Sequence, residues 1–70
     1  MFIGEELILG WNTAKTLGDE MASGTSVRVE AFGRDWIVLR SPYDNKAFSA
    51  TFPTHRAMFD FYKALDRYED

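Results

Sequence analysis

The chain has 70 residues, of which 46% are hydrophobic and 27% are charged, a composition typical of one small folded domain rather than a disordered segment. It contains no cysteine, which excludes disulfides, thiolate nucleophiles and thiolate zinc sites. The net charge of −3 opposes nonspecific attraction to nucleic acid or to anionic lipid. No signal-peptide pattern and no membrane-spanning run is seen, so we expect one cytoplasmic domain over 1–70 without membrane association.

The first predicted element is a helix over about 5–23. Apolar or small residues recur there at spacings of three and four, as on one side of a helix: Ile3, Leu7, Trp11, Ala14, Gly18 and Met21. Gly10 and Gly18 weaken this interpretation, because each costs about 1 kcal/mol relative to alanine inside a helix. The alternative is a strand over 5–11 followed by a shorter helix capped by Asn12.

A change to a period of two predicts a β-sheet from Ser26 onward. Val27 and Val29 alternate with charged residues, as in a strand with one covered face. Gly33 lies in the following tight turn, where a positive φ is expected. The next run, 36–39, is apolar on both faces, which is typical of a central strand. A third strand is predicted over 46–52.

The register of the first hairpin decides which apolar residues face the core. A two-residue loop around Gly33 puts Trp36 and Val38 on the covered side with the valines of the first strand, and this is the register that we favour. A three-residue loop would put Ile37 and Leu39 there instead. The favoured register therefore leaves Ile37 and Leu39 on the outer side of the sheet.

A second helix is predicted from Thr54, a suitable N-cap, to about Tyr68. Its apolar stripe comprises Met58, Phe61, Tyr62, Leu65 and Tyr68. Phe59 lies roughly 140° from the centre of this stripe, so we expect its ring to be exposed. The predicted fold is therefore a single small α+β domain in the order α-β-β-β-α, a three-stranded antiparallel meander with helices packed on one face.

The side chains that could carry chemistry form no recognisable catalytic pattern. His55 is the only histidine and has no nucleophile motif around it. The carboxylates do not follow the spacing of a calcium loop. We therefore expect no enzyme activity, and no catalytic, cofactor-binding or metal-binding residues.

The order α-β-β-β-α is similar in layout to double-stranded-RNA-binding domains, which contact phosphates through basic residues at the start of their second helix. This chain has His55 and Arg56 at that point, without a lysine cluster. Nucleic-acid binding is therefore the alternative function.

The leading prediction rests on the number of aromatic residues. Six Phe, three Tyr and two Trp exceed what a two-layer domain of this size can bury, although scattered exposed apolar residues are also ordinary on protein surfaces. We predict a small protein-binding module, such as an inhibitor, an adaptor or a regulatory subunit of the kind that phages encode. It would cover a larger protein partner or form a homodimer. The predicted interaction residues are Arg28, Glu30, Ile37, Leu39 and Phe59.

Overall fold

A five-stranded antiparallel sheet and two α-helices make up the α+β fold, in a computed structural model that describes residues 1–67. The strands lie side by side in the order β4-β3-β2-β1-β5. The elements along the chain are β1 (Glu6–Ile8), α1 (Trp11–Thr16), a 3₁₀ helix (Glu20–Ala22), β2 (Ser26–Phe32), β3 (Trp36–Arg40), β4 (Ala47–Thr51), α2 (His55–Ala64) and β5 (Asp66–Arg67).

Strands β2, β3 and β4 form the predicted antiparallel meander, but β1 and β5 extend it, so the sheet has five strands and not the predicted three. Leu39 in the central strand lies opposite Val29 on one side and opposite Phe48 on the other. All three side chains are buried in a single core cluster, to which α1 contributes Ala14 and α2 contributes Phe61. Both α-helices therefore pack on one face of the sheet, which we call the inner face.

The helix predicted over 5–23 is wrong, and the alternative order of a strand followed by a short helix is correct. Leu7 and Leu9 are both fully buried, and Leu7 lies opposite Val27. Their spacing of two fits a strand with one covered face, whereas the residues that suggested a helical stripe include the exposed Trp11 and Met21.

Helix α1 is flanked by glycines, and its N-cap is not the predicted Asn12. Gly10 takes the N-cap position with an extended backbone. Gly18, with φ of +78°, follows the last turn in the left-handed conformation that glycine adopts readily. The stretch predicted as one long helix therefore holds a strand, one and a half helical turns and a 3₁₀ helix.

A β-bulge in β2 reverses the predicted orientation of β3. Near the turn Ala31 lies opposite Val38, as the favoured register requires, but further along Val29 lies opposite Leu39. One extra residue in β2, at Glu30, separates these two pairs. Because side chains alternate between the faces, this residue moves Ile37 and Leu39 to the inner face with the valines of β2.

Helix α2 begins as predicted and ends earlier than predicted. The Thr54 side chain accepts a hydrogen bond from the backbone N–H of Ala57 at 3.1 Å, which confirms the N-cap. The helix ends at Ala64, because Leu65 has an extended backbone and Asp66 pairs with β1 as the first residue of β5. The predicted end at Tyr68 lies outside the described residues.

Within residues 1–67, no helix has the length and apolar character needed to cross a membrane.

Candidate protein-binding surface

The outer face of the sheet is the side opposite the helices. Ala31 and Val38 lie opposite each other on this face and are half-buried, as is Ile8 on β1, while Trp36 and Ser49 are exposed. Charged side chains lie among these residues on the first three strands, namely Glu6, Arg28, Glu30 and Arg40. The outer face therefore combines apolar area with a fixed set of charges.

Two arginines lie directly opposite each other across β2 and β3, and each is paired with a glutamate. Arg28 Nη2 is 3.1 Å from Glu6 Oε1. Arg40 Nε donates to Glu30 Oε1 at 3.0 Å, and its Nη1 donates to the backbone carbonyl of Asn45 at 2.8 Å. Like charges directly opposite in a sheet repel each other, so the two carboxylates are what allow the arginines to be neighbours.

Each guanidinium keeps one terminal nitrogen available for another molecule. Arg28 Nη1 and Arg40 Nη2 have no hydrogen-bond partner within the described part of the chain. The remaining nitrogens of Arg40 are held by Glu30 and Asn45, so its orientation is set before any ligand binds. Such preorganised guanidiniums favour planar acceptors with two oxygens, such as carboxylates.

A shallow depression of about 400 Å³ is lined by both of these arginines. Arg28, Arg40 and Glu30 form its charged part, where two positive charges stand against one negative charge. Ile3 and Pro42 supply apolar contact area in the same depression. It can therefore accept a carboxylate next to apolar groups.

The turn between β3 and β4 positions the carbonyl that holds Arg40. Asn45 has φ of +61°, a left-handed conformation that asparagine tolerates better than most residues. Its N–H donates to the Ser41 carbonyl at 3.0 Å, and the next N–H, that of Lys46, donates to Asp44 Oδ1 at 3.1 Å. The last bond and a hydrogen bond from the Ser41 hydroxyl hold the pKa of Asp44 below its ordinary value.

The structure brings two of the five predicted interaction residues together on this surface. Arg28 and Glu30 both line the depression on the outer face. Ile37 and Leu39 are 1% and 0% exposed on the inner face, so the prediction that they lie outside the core is wrong, because of the bulge in β2. Phe59 is 39% exposed as expected, but it lies on α2, away from the outer face.

Phe59 belongs to a row of rings along α2. His55 stacks on Phe59 with the ring centroids 6.2 Å apart, and Phe59 contacts Tyr62 at 5.6 Å. His55 Nδ1 lies 2.6 Å from the Arg34 carbonyl, and the Tyr62 hydroxyl donates to the Glu5 carboxylate at 2.9 Å. These bonds fasten the helix to the β2–β3 turn and to the segment before β1, which is a structural role.

A second, smaller depression of about 160 Å³ lies beside the start of β4. Lys46 Nζ donates to the Asp19 carboxylate there, which lowers the pKa of Asp19 and raises that of Lys46. Met21 and Phe48 are its main apolar residues.

Within residues 1–67, no three histidine, cysteine or acidic side chains are grouped so that they could hold a metal ion.

The chain matches no protein-family model, no curated protein and no solved structure.

Sequence reasoning missed Arg40 and Asn45 as parts of this surface. Arg40 follows a run of four apolar residues, and the alternation along β3 places it on the same side as Val38 once the bulge is known. The dipeptide Asp44-Asn45 is a turn signal, but it gives no indication that the turn carbonyl holds an arginine.

Proposed function

We propose that this domain is a small non-enzymatic protein-binding module whose outer face covers a patch on a larger protein partner. The observation that carries the proposal is the pair of arginines, Arg28 and Arg40. Each has one free guanidinium nitrogen, and both line an apolar-rimmed depression on a sheet face that the helices leave open. Such a module would act in the cytoplasm as an inhibitor, an adaptor or a small regulatory subunit.

The residues of the outer face indicate which groups a partner should present. Arginine and tryptophan are enriched at the energetic centres of protein interfaces, and the outer face carries Arg28, Arg40 and the 39% exposed Trp36. We expect the partner to present at least one carboxylate to the free nitrogens, next to apolar side chains that cover Val38 and Ile3. The carboxylate would fix the orientation of the complex, and the apolar contacts would contribute most of the area removed from water.

The same observations favour a protein over a nucleic acid. Each outer-face arginine is already paired with a glutamate, which reduces the positive potential that phosphates require. The α-β-β-β-α layout that suggested RNA binding is present from α1 to α2, but the sheet here also contains β1 and β5, which extend it beside β2. Nucleic-acid binding enters the experiment below as an outcome.

The test compares two variants that remove the same charge from opposite sides of the molecule. Tagged wild type, Arg28→Ser and Arg56→Ser are used for affinity purification from the native cell, with nuclease treatment and quantitative mass spectrometry. Arg28 lies on the outer face, whereas Arg56 lies at the start of α2, so Arg56→Ser is the matched control. Melting temperatures of the purified variants establish that both are folded.

We expect one protein to be recovered with wild type and Arg56→Ser, and its recovery to fall about tenfold or more with Arg28→Ser, as for an interface residue worth about 1.4 kcal/mol. Equal recovery with both variants would contradict the proposed surface. Recovery that nuclease abolishes would support nucleic-acid binding instead.

A further inference from the structure

The two edges of the sheet are protected to very different degrees. Strand β5 at one edge has two residues, Asp66 and Arg67, and both are charged. Strand β4 at the other edge has five residues, Ala47–Thr51, without a charge, a proline or a bulge. Natural edge strands are usually blunted by shortness, by charge, by proline or by a bulge, because an open edge pairs with other strands. β4 has none of these devices within it.

The backbone of β4 presents a regular set of open hydrogen-bonding groups. At its ends, the Lys46 carbonyl accepts from the Ser41 N–H at 2.8 Å, and the Phe52 N–H donates to the Asp35 carbonyl at 2.7 Å. Even-numbered residues therefore bond to β3, and the backbone groups of odd-numbered residues point away from it. The outward groups belong to Ala47, Ser49 and Thr51, for which residues 1–67 supply no partner.

This edge is complementary to itself. If two copies of β4 lie antiparallel with a two-fold axis at Ser49, each Ser49 faces the other, and each Ala47 faces Thr51 of the second copy. The three outward N–H groups of each copy then meet outward carbonyls, which gives six backbone hydrogen bonds in all. Lys46 falls opposite Phe52 of the second copy, so the pairing brings no like charges together.

Apolar side chains at the same edge can extend the contact beyond the backbone. Met21 is 93% exposed and lines the small depression beside Lys46 and Phe48. Phe52 at the other end of β4 is only partly buried. In the two-fold arrangement the Met21 end of one copy lies next to the Phe52 end of the other. Stable interfaces of standard size bury about 1,200–2,000 Å² in total. Pairing of the strands reaches such an area only if side chains such as these are buried as well.

We infer that β4 is the dimerisation edge of this protein, and that a second copy of the chain pairs with it antiparallel about Ser49. The product is a continuous sheet of ten strands, five from each copy, with the two outer faces on the same side. The inference does not depend on the proposed function, since it concerns the edge of the sheet and not its face.

Charge reversal at the two-fold axis tests this inference with purified protein. In Ser49→Lys two ammonium groups face each other, and in Ser49→Glu two carboxylates do, so each variant alone should sediment as a monomer of 8.1 kDa. An equimolar mixture of the two variants should recover a mass of about twice that value. Wild type and the control Ser49→Ala should both dimerise as their concentration rises. The Ser49 side chain is exposed, so at concentrations where the wild type is a monomer all variants should have its melting temperature.

A proline variant provides a second measurement. The Ser49 N–H points away from β3, a position where an edge strand tolerates proline, so Ser49→Pro should fold but lack the central hydrogen bonds of the dimer. We expect it to remain a monomer at every concentration.

Any one of three results would overturn the inference. The wild type could be a monomer at every concentration, the charged variants could each dimerise as the wild type does, or their mixture could stay monomeric. Failure of the proposed function is seen separately, because Arg28→Ser should dimerise like the wild type whether or not it loses a partner.

Discussion

The two faces of the sheet are made from alternate residues of the same strands, yet they have different roles. On the inner face, Val29, Ile37 and Leu39 are at most 1% exposed and pack in one cluster with residues of both helices. On the outer face, Val38 and Arg40 from the same strand are only half-buried, and the charges are held in pairs. One face therefore holds the core, whereas the other is not covered by either helix.

The largest expected effect is on the inner face. Leu39→Ala leaves a cavity in the centre of the core and should lower the free energy of unfolding by about 2–5 kcal/mol. Unfolding in denaturant measures this loss of free energy. Val38→Ala is the matched control on the outer face, and it should cost about 1 kcal/mol or less. Equal losses for the two variants would show that the faces do not differ as described.

The second largest effect is expected at the turn between β2 and β3. A Cβ at Gly33 would collide with Nε1 of Trp36, so Gly33→Ala forces the indole off the turn. We expect a loss of about 1–3 kcal/mol in unfolding free energy, as for overpacked sites. If the collision is the cause, Gly33→Ala should cost much less in a Trp36→Ala background, and a double-mutant cycle measures the difference. A cost that is unchanged in that background would indicate backbone strain instead.

Gly33 also shows how the sequence can predict a position and miss its reason. A positive φ is expected at Gly33 because glycine adopts it easily, but within residues 1–67 the positive φ values are at Gly4, Gly18, Gly24 and Asn45. Gly33 is required by the ring that lies over it, a contact that depends on the hairpin having formed.

A third effect concerns the outer face, where stability should change little. Arg28→Ala removes an exposed ion pair with Glu6, and such pairs contribute about 0–1 kcal/mol. Thermal unfolding at low and high salt measures this, and the difference from wild type should shrink as salt is added. A loss as large as that of Leu39→Ala would mean that Arg28 is part of the core structure and not a residue kept for binding.

The smallest effect is the pH dependence contributed by the ion pair beside β4. The pKa of Asp19 lies below its ordinary value of 3.8, so its stabilising contribution is present above that pH and is lost as the pH falls through the lowered value. The pKa of Lys46 lies above 10.5, so its contribution is present below that pH and is lost as the pH rises through the raised value.

Lys46→Met should therefore flatten the dependence of the melting temperature on pH at both extremes. Part of the acid dependence should remain, since Asp44 keeps its backbone hydrogen bond from residue 46. A profile identical to that of the wild type would show that the pair does not form in solution.

Local patterns were sufficient to predict the meander and the start of α2. Alternation in Val27 and Val29 depends on neighbours two residues away, and the Thr54 cap depends on a bond three residues away. The N-terminal strand was less clear, because Leu7 fits a spacing of four as well as a spacing of two. Strand β5 has no pattern of its own and exists only because Asp66 reaches β1.

The candidate surface was predicted only in part for a related reason. Arg28 and Glu30 were identified from their own strand. Arg40 joins them through pairing with another strand, and the single extra residue of the bulge, which alternation cannot reveal, decides that Leu39 faces the core. The strands of the meander were therefore predictable, whereas the exact register between β2 and β3 was not.

If Ile37 belongs to the core and the neighbouring Val38 belongs to the binding surface, substitutions to aspartate at these two positions should have different effects. Ile37→Asp buries a charge in the core and should unfold the domain, as measured by circular dichroism. Val38→Asp should remain folded, with a melting temperature close to that of wild type, and should lose the partner that wild type recovers. If Val38→Asp is folded and recovers that partner as well as wild type does, the outer face is not the binding surface and the account is wrong.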